Sequence, residues 1–182
     1  MTSTPPSARL TESLLTRMVT TPIGPLLVVA SARGIRAVLW PGEDGSRVRI
    51  SAGGPDGGPD QCAVAGRHLD LAVEQLDEYF AGTRRGFDVA LDPVGTEFQL
   101  LAWQALRAIP YGSTISYGAQ AAALGDPRRA RAVGGANRRN PISVIVPCHR
   151  VLGSSGALTG FAGGLDTKAW LLAHEQRVLA EA

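Results

Sequence analysis

Cysteine, histidine, lysine and aromatic residues are all scarce in this 182-residue chain. The two cysteines, Cys62 and Cys148, allow one disulfide at most and exclude a disulfide-built scaffold. The histidines are His68, His149 and His174, and there is no Cys-x-x-Cys or His-x-x-x-His pair. No structural zinc site is therefore expected. Apolar runs such as Pro25–Ala30 and Ile142–Val146 fall far below the roughly 20 residues of a membrane-spanning helix. The opening MTSTPPSARLTESLL lacks the basic start and apolar block of a secretory signal, so a cytoplasmic protein without membrane contact is expected. Neither a P-loop nor Gly-x-Gly-x-x-Gly occurs, and no cofactor is expected.

What is present reads as two unlike halves. Residues 1–17 look like a flexible N-terminal tail. Val19–Trp40 holds two β-rich runs around Ser31-Ala32-Arg33-Gly34, the pattern of a hairpin. Residues 41–66 carry seven glycines and three prolines and read as a long loop. His68–Ala81 has apolar residues at helical spacing, with Gly82 as its stop. Phe87–Leu91 reads as a short strand, and Asp92-Pro93-Val94-Gly95 as the boundary between an N-terminal α/β domain (18–92) and a C-terminal domain (93–182). The second half is mostly helical: Phe98–Ile109, a helix capped by Ser116, another from Pro127 to about Asn137 with Asp126 as its N-cap, and a last one over Asp166–Leu179. The middle pair, joined by a glycine-containing turn, matches a helix-turn-helix.

Charge is concentrated in one place. Residues 126–150 hold Arg128, Arg129, Arg131, Arg138, Arg139 and Arg150 against the single acid Asp126. That segment is +5, so the remainder carries −3 of the +2 total. Such a patch suits a polyanion, although a solvated arginine face would read the same way. The helix inside it, RRARAVGGANRR, contains Gly134-Gly135, which costs about 1 kcal/mol per glycine relative to alanine. Either the glycines pack against a neighbouring helix, or they let the backbone approach a nucleic-acid groove while arginines reach phosphates or bases.

The same segment ends in VIVPCHRV, residues 144–151. An apolar setting argues for Cys148 as inert filling. Pro147, however, can open a helical turn that places Cys148 at its start and favours a thiolate. His149 lies beside it, and a base needs a third group to orient it. Glu175 is the candidate, on an apolar stripe with Leu171 and Leu172, although spacing alone favours a surface carboxylate. A thiolate on a carbonyl gives a thioester that water cleaves. On an sp3 carbon it gives a thioether that water does not cleave.

Five motifs in order, ISYGAQAAALG, RARAVGGANRRNP, IVPCHRV, SGALTGFAGG and KAWLLAHE, resemble the O6-alkylguanine-DNA alkyltransferases, the suicide DNA-repair proteins. TPIGPLLVVASARGIRAVLW and LDEYFAGTRRGFDVALD extend the likeness more loosely to the first half. The resemblance implies an α+β fold: a small ribonuclease-H-like α/β domain with an antiparallel sheet, then a mostly helical domain containing the helix-turn-helix. It implies irreversible transfer of the alkyl group from O6-alkylguanine in double-stranded DNA to Cys148, with O4-methylthymine left open as a second substrate. His149 would act through water as base, with Glu175 orienting it. Asn140 would hold the turn, and Tyr117 would press on a phosphate and donate a proton to the leaving guanine.

Tyr117, Gly118, Arg131, Ala132, Gly134, Gly135, Arg138 and Ser154 would contact DNA in the minor groove, which admits a helix only if its side chains are small. Arg131 would take the place of the flipped nucleotide. Val151, Leu158, Phe161, Ala162 and Gly163 would line the guanine pocket. A monomer is implied, with cooperativity on DNA open. Phe161 stands where tyrosine is common, Asn137 where some members have a methionine that packs on the base, and Ala162 where some have serine. The zinc of some relatives is not expected here, and the cysteine argues against the lesion binders that carry tryptophan in its place. Two other classes fit parts of the pattern: a DNA-binding lesion sensor or regulator with a reactive cysteine, and a cysteine hydrolase.

Overall fold

The alternating β-branched residues of the first half close into a meander. The structure, a computed structural model, describes residues 14–43 and 58–181. Strands β1 (Leu15–Thr21), β2 (Gly24–Ser31) and β3 (Gly34–Leu39) form an antiparallel sheet in that order. The turn at Ser31–Gly34 is the expected one, and a second turn at Thr21–Gly24 adds β1, with Leu15 opposite Ala30. The strand therefore begins inside the stretch expected to be a tail. β1 is mostly exposed, with Val19 its buried residue. Its order comes from backbone pairing, which leaves no mark on hydrophobic pattern. Residues 1–13 of that tail and 44–57 of the expected loop lie outside the described residues.

The loop expectation also ends too late. Helix α1 spans Pro59–Phe80, with Pro59 at its first position, where a missing N–H costs nothing. Cys62 and Gly66 are thus helical. Leu69, Ala72, Leu76 and Tyr79 face Leu26, Val28, Ile35 and Val38 of the sheet in one core. A side chain buried as completely as Leu76 contributes about 1.5–3 kcal/mol.

The expected strand at Phe87–Leu91 contracts to one parallel bridge, Leu91 with Ile35. Gly34 explains the closeness, because a Cβ there would stand 2.5 Å from the Ala90 carbonyl oxygen. Asp92 accepts from the Ser31 hydroxyl at 2.6 Å and pairs with Arg33 and Arg36. The outer edge of β3 meets a second segment at Val38, whose N–H donates to the Pro141 carbonyl at 2.9 Å. The edge that would otherwise offer open backbone groups is covered by the stretch leading to Cys148.

The second half starts with α2 (Glu97–Leu106), capped reciprocally by Thr96 and Gln99. A two-residue strand β4 (Ile115–Ser116) leads into α3 (Tyr117–Ala123), where the Ser116 hydroxyl accepts from Ala119 N–H at 3.0 Å. The helix expected from Pro127 opens as a 3-10 turn, Pro127–Arg129, before α4 (Ala130–Arg138). Trp103 Nε1 donates to the Ala136 carbonyl at 2.9 Å, and Gln120 bridges Ala102 and Asn137, so α2, α3 and α4 lock together. A 3-10 turn at Cys148–Arg150, the short β5 (Val151–Leu152) paired with β4, and α5 (Leu165–Ala180) complete the chain. Among the described residues no helix is long and apolar enough to cross a membrane.

Candidate active site

The run before Cys148 is bent tightly. Val144, a buried β-branched residue, sits at φ 69°, a conformation that only a well-determined surrounding holds. Asn140 supplies that surrounding. Its Oδ1 accepts from Ile142 N–H at 3.1 Å, and its Nδ2 donates to the Val146 carbonyl at 2.8 Å and to Cys148 Sγ at 3.2 Å. Cys148 is 7% exposed and opens the 3-10 turn as anticipated.

Behind the thiol lies a closed polar cluster. His149 is fully buried, and its Nε2 is 2.8 Å from Glu175 Oε1. A carboxylate only accepts, so Nε2 carries the proton and Nδ1 carries the lone pair. That Nδ1 is buried, and among the described residues it has no hydrogen-bond partner. Burial lowers the His149 pKa against the opposing pull of Glu175, so the imidazole is neutral at neutral pH. Glu175 is equally buried, not the surface carboxylate that spacing allowed. Its oxygens accept from Arg150 Nε and Nη2 at 3.0 and 2.9 Å, from Gly112 N–H at 2.8 Å and from the Tyr79 hydroxyl at 2.9 Å. Burial pushes this carboxyl up, but His149 and Arg150 together outweigh it and hold it at about 2. Arg150 is therefore the counter-ion of Glu175 and leaves the surface patch, which retains Arg128, Arg129, Arg131, Arg138 and Arg139.

The parallel pairing of Ile115 with Val151 brings the start of α3 beside this turn. The Tyr117 hydroxyl lies 3.4 Å from the Thr159 carbonyl, and burial raises its pKa. Phe161 stands edge-on to His149 with ring centroids 6.5 Å apart and also to Trp40 at 5.4 Å. Val151 is buried, Leu158 half-buried, and Ala162 and Ser154 exposed. Gly163 presses on Trp40, where a Cβ would approach to 2.7 Å. A cavity of about 350 Å³ opens behind the turn among Arg85, Arg107, Tyr111, Pro147 and Arg150. Cys148 and His149 do not line it, so it offers no approach to the thiol.

On α4 the outer face consists of Arg131, Ala132, Gly135, Arg138 and Arg139. A Cβ on Gly135 would meet nothing within 4 Å, and one on Gly134 would meet only the Tyr117 ring at 3.7 Å. Tight internal packing is thus not the reason for this glycine pair. Asn137 is turned inward and donates to the Gln120 side-chain oxygen at 2.7 Å, so it is not part of this exposed face.

Residues 97–177 match the family model described as 6-O-methylguanine DNA methyltransferase, DNA binding domain. Residues 14–93 match that described as 6-O-methylguanine DNA methyltransferase, ribonuclease-like domain. A methylated-DNA–protein-cysteine methyltransferase of Methanosarcina acetivorans is 45% identical over 154 residues, 85% of this chain and 93% of its own length. The chain belongs to this family. A methyltransferase of the same name from Salmonella typhimurium is 42% identical, over 91% of this chain and 98% of its own. The crystal structure of Mycobacterium tuberculosis OGT in complex with DNA superposes with a TM-score of 0.75 at 42% identity, covering 90% of this chain and 93% of that one. The sheet followed by a helical half is the fold of these methyltransferases.

Three polar residues of this methyltransferase site escaped the sequence reading. In the sequence Arg150 is one more charge of the basic segment, and Tyr79 one more apolar position of a helix. Lys168, the chain's lone lysine, is fully buried. It donates to the Val151 and Thr159 carbonyls at 2.6 and 2.8 Å and stands 5.9 Å over the Tyr117 ring. A lysine buried to that degree needs partners, and its scarcity was the one available sign.

Proposed function

We propose that this chain reverses O6-alkylguanine damage in double-stranded DNA by moving the alkyl group onto Cys148 in one irreversible turnover. The buried thiol, held by Asn140 next to a neutral imidazole whose Nδ1 has no partner among the described residues, carries this reading. A water between Nδ1 and the thiol passes the Cys148 proton to His149. The sulfur attacks the alkyl carbon, an S–C bond forms, and the C–O6 bond breaks. The electron pair passes to guanine, which takes a proton from the Tyr117 hydroxyl, restored afterwards from solvent. Glu175 steadies the imidazolium that forms. The thioether is stable to water, so the protein is spent.

The division of labour follows the two halves. Residues 18–92 support the site, and residues 93–182 bind DNA and accept the alkyl group. Helices α3 and α4 act as a helix-turn-helix, with the Ala132/Gly134/Gly135 face of α4 in the minor groove. Tyr117, Gly118, Arg138 and Ser154 contact the backbone, and Arg131 fills the space of the extruded nucleotide. Val151, Leu158, Phe161, Ala162 and Gly163 border the base. The protein acts as a monomer on DNA.

Intact and peptide mass spectrometry after mixing with a duplex carrying one O6-methylguanine tests this. One methyl group should appear on the Cys148 peptide and none beyond it, and Cys148→Ser should gain nothing. DNA binding without methyl gain would leave a lesion sensor instead.

A further inference from the structure

We propose that Tyr79, on the first helix of the N-terminal half, is a positioning residue for alkyl transfer that sets how tightly Glu175 holds His149. The inference rests on the transfer reading above and adds a residue from the half that otherwise supplies only scaffold.

Three residues donate to Glu175 Oε1 at once: His149 through Nε2 at 2.8 Å, Arg150 through Nη2 at 2.9 Å and Nε at 3.2 Å, and Tyr79 through its hydroxyl at 2.9 Å. The first two lie in the Cys148 turn. Tyr79 comes from 96 positions away in sequence. Filling the core does not require its hydroxyl, because phenylalanine offers the same ring. That ring is fully buried and wedged among Phe80, Phe87, Tyr111 and His174, with centroids 5.3–5.9 Å apart, so the hydroxyl has one direction in which to point. Burial and the neighbouring Glu175 raise its pKa well above that of an ordinary phenol, so it stays a donor. A donor on Oε1 withdraws electron density from the oxygen that supports His149, and so tempers the basicity of the imidazole.

The titratable and charged groups facing Glu175 come from several elements. Tyr79 is on α1, Tyr111 follows α2, and His149 and Arg150 are on the Cys148 turn. On α5 itself, Lys168 acts on His149 and Arg177 on Tyr111, while the His174 ring packs against Tyr79. Arg85, in the loop after α1, acts on Tyr111.

The test is the single-turnover rate of methyl transfer to Cys148 from an O6-methylguanine duplex, followed across pH with DNA affinity and thermal unfolding in parallel. In Tyr79→Phe the acid limb should move to higher pH, because Glu175 then holds the imidazolium more strongly. On that limb the rate should fall about two- to tenfold, the order of one neutral hydrogen bond, while the alkaline plateau and DNA affinity change less. Site-specific 3-fluorotyrosine at position 79 keeps the packing and has a more acidic hydroxyl. It should move the limb to lower pH, and it carries the test if Tyr79→Phe does not fold. Limbs that superimpose on wild type in both variants, or a uniform rate loss that tracks thermal stability, would overturn the proposal. Wild-type protein that never methylates Cys148 would instead overturn the transfer reading.

Discussion

The two sides of the segment from Arg128 to Arg150 are built on opposite rules. On the inner side, Asn140, His149 and Arg150 each have a defined partner, and Glu175 is surrounded by donors. On the outer side of α4, Ala132 and Gly135 are exposed, and Gly135 leaves space that none of the described residues fills. The inner side is fixed before any reaction: in the proposed transfer its charges already stand where a developing imidazolium would need them. The outer side carries helix-weakening glycines with no return inside the protein, which is what a surface adapted to something else looks like. The comparison teaches that one short segment can hold a fully partnered interior on one side and an open glycine-bearing face on the other.

Breaking the inner side should cost most. Glu175→Gln leaves the Arg150 guanidinium buried beside a neutral amide, so it should lose about 3–5 kcal/mol of stability in denaturant melts. Its transfer rate should fall on the order of a hundredfold in single-turnover assays, and an unchanged rate would remove Glu175 from the mechanism. Asn140→Ala should cost less, about 1–3 kcal/mol, because it leaves the buried Ile142 N–H without its acceptor and removes one of the two donors to the Val146 carbonyl.

Acid should act on the same side. His149 has its pKa lowered from 6.5, and Glu175 from 4.5 to about 2. The unfolded chain binds the histidine proton first, so stability should begin to fall as pH drops below 6.5. Glu175 adds a second loss between 4.5 and about 2, its contribution being present above that window. A melting temperature that is flat from neutral pH down to that window would contradict the buried neutral imidazole.

The outer side should respond with the opposite sign. Gly135→Ala should raise stability by up to about 1 kcal/mol while weakening affinity for duplex DNA, measured by melting and by fluorescence anisotropy. Stabilisation without loss of affinity would mean that this face does not meet DNA. Arg131→Ala should leave melting unchanged and lower the slope of log affinity against log salt by about 1 if it meets a phosphate. A vanished preference for the lesion with the slope intact would favour insertion at the flipped site.

Local signals announced much of this molecule. The Ser31–Gly34 turn, the Ser116 and Asp126 caps and the helical spacing of α1 and α5 are written over a few neighbouring residues, and the structure contains them. The thiol, its histidine and the glutamate could be named because their residue types have few other uses together. The strand β1 and the early start of α1 were less legible. One depends on backbone pairing to β2, the other on a proline that reads equally well as a loop.

By itself the sequence determined the Ser31–Gly34 hairpin, the helices of the second half, the basic helix with its glycine pair, and Cys148 as the thiol proposed to react. Only the tertiary structure decided that Arg150 is an inward counter-ion, that Asn137 faces Gln120, that Lys168 braces the loop beside Tyr117, and that Tyr79 reaches Glu175. The physical reason is distance along the chain. Periodicity and capping act over a turn or two of helix, whereas a buried charge takes its partners from whichever elements the packed core brings within hydrogen-bond reach.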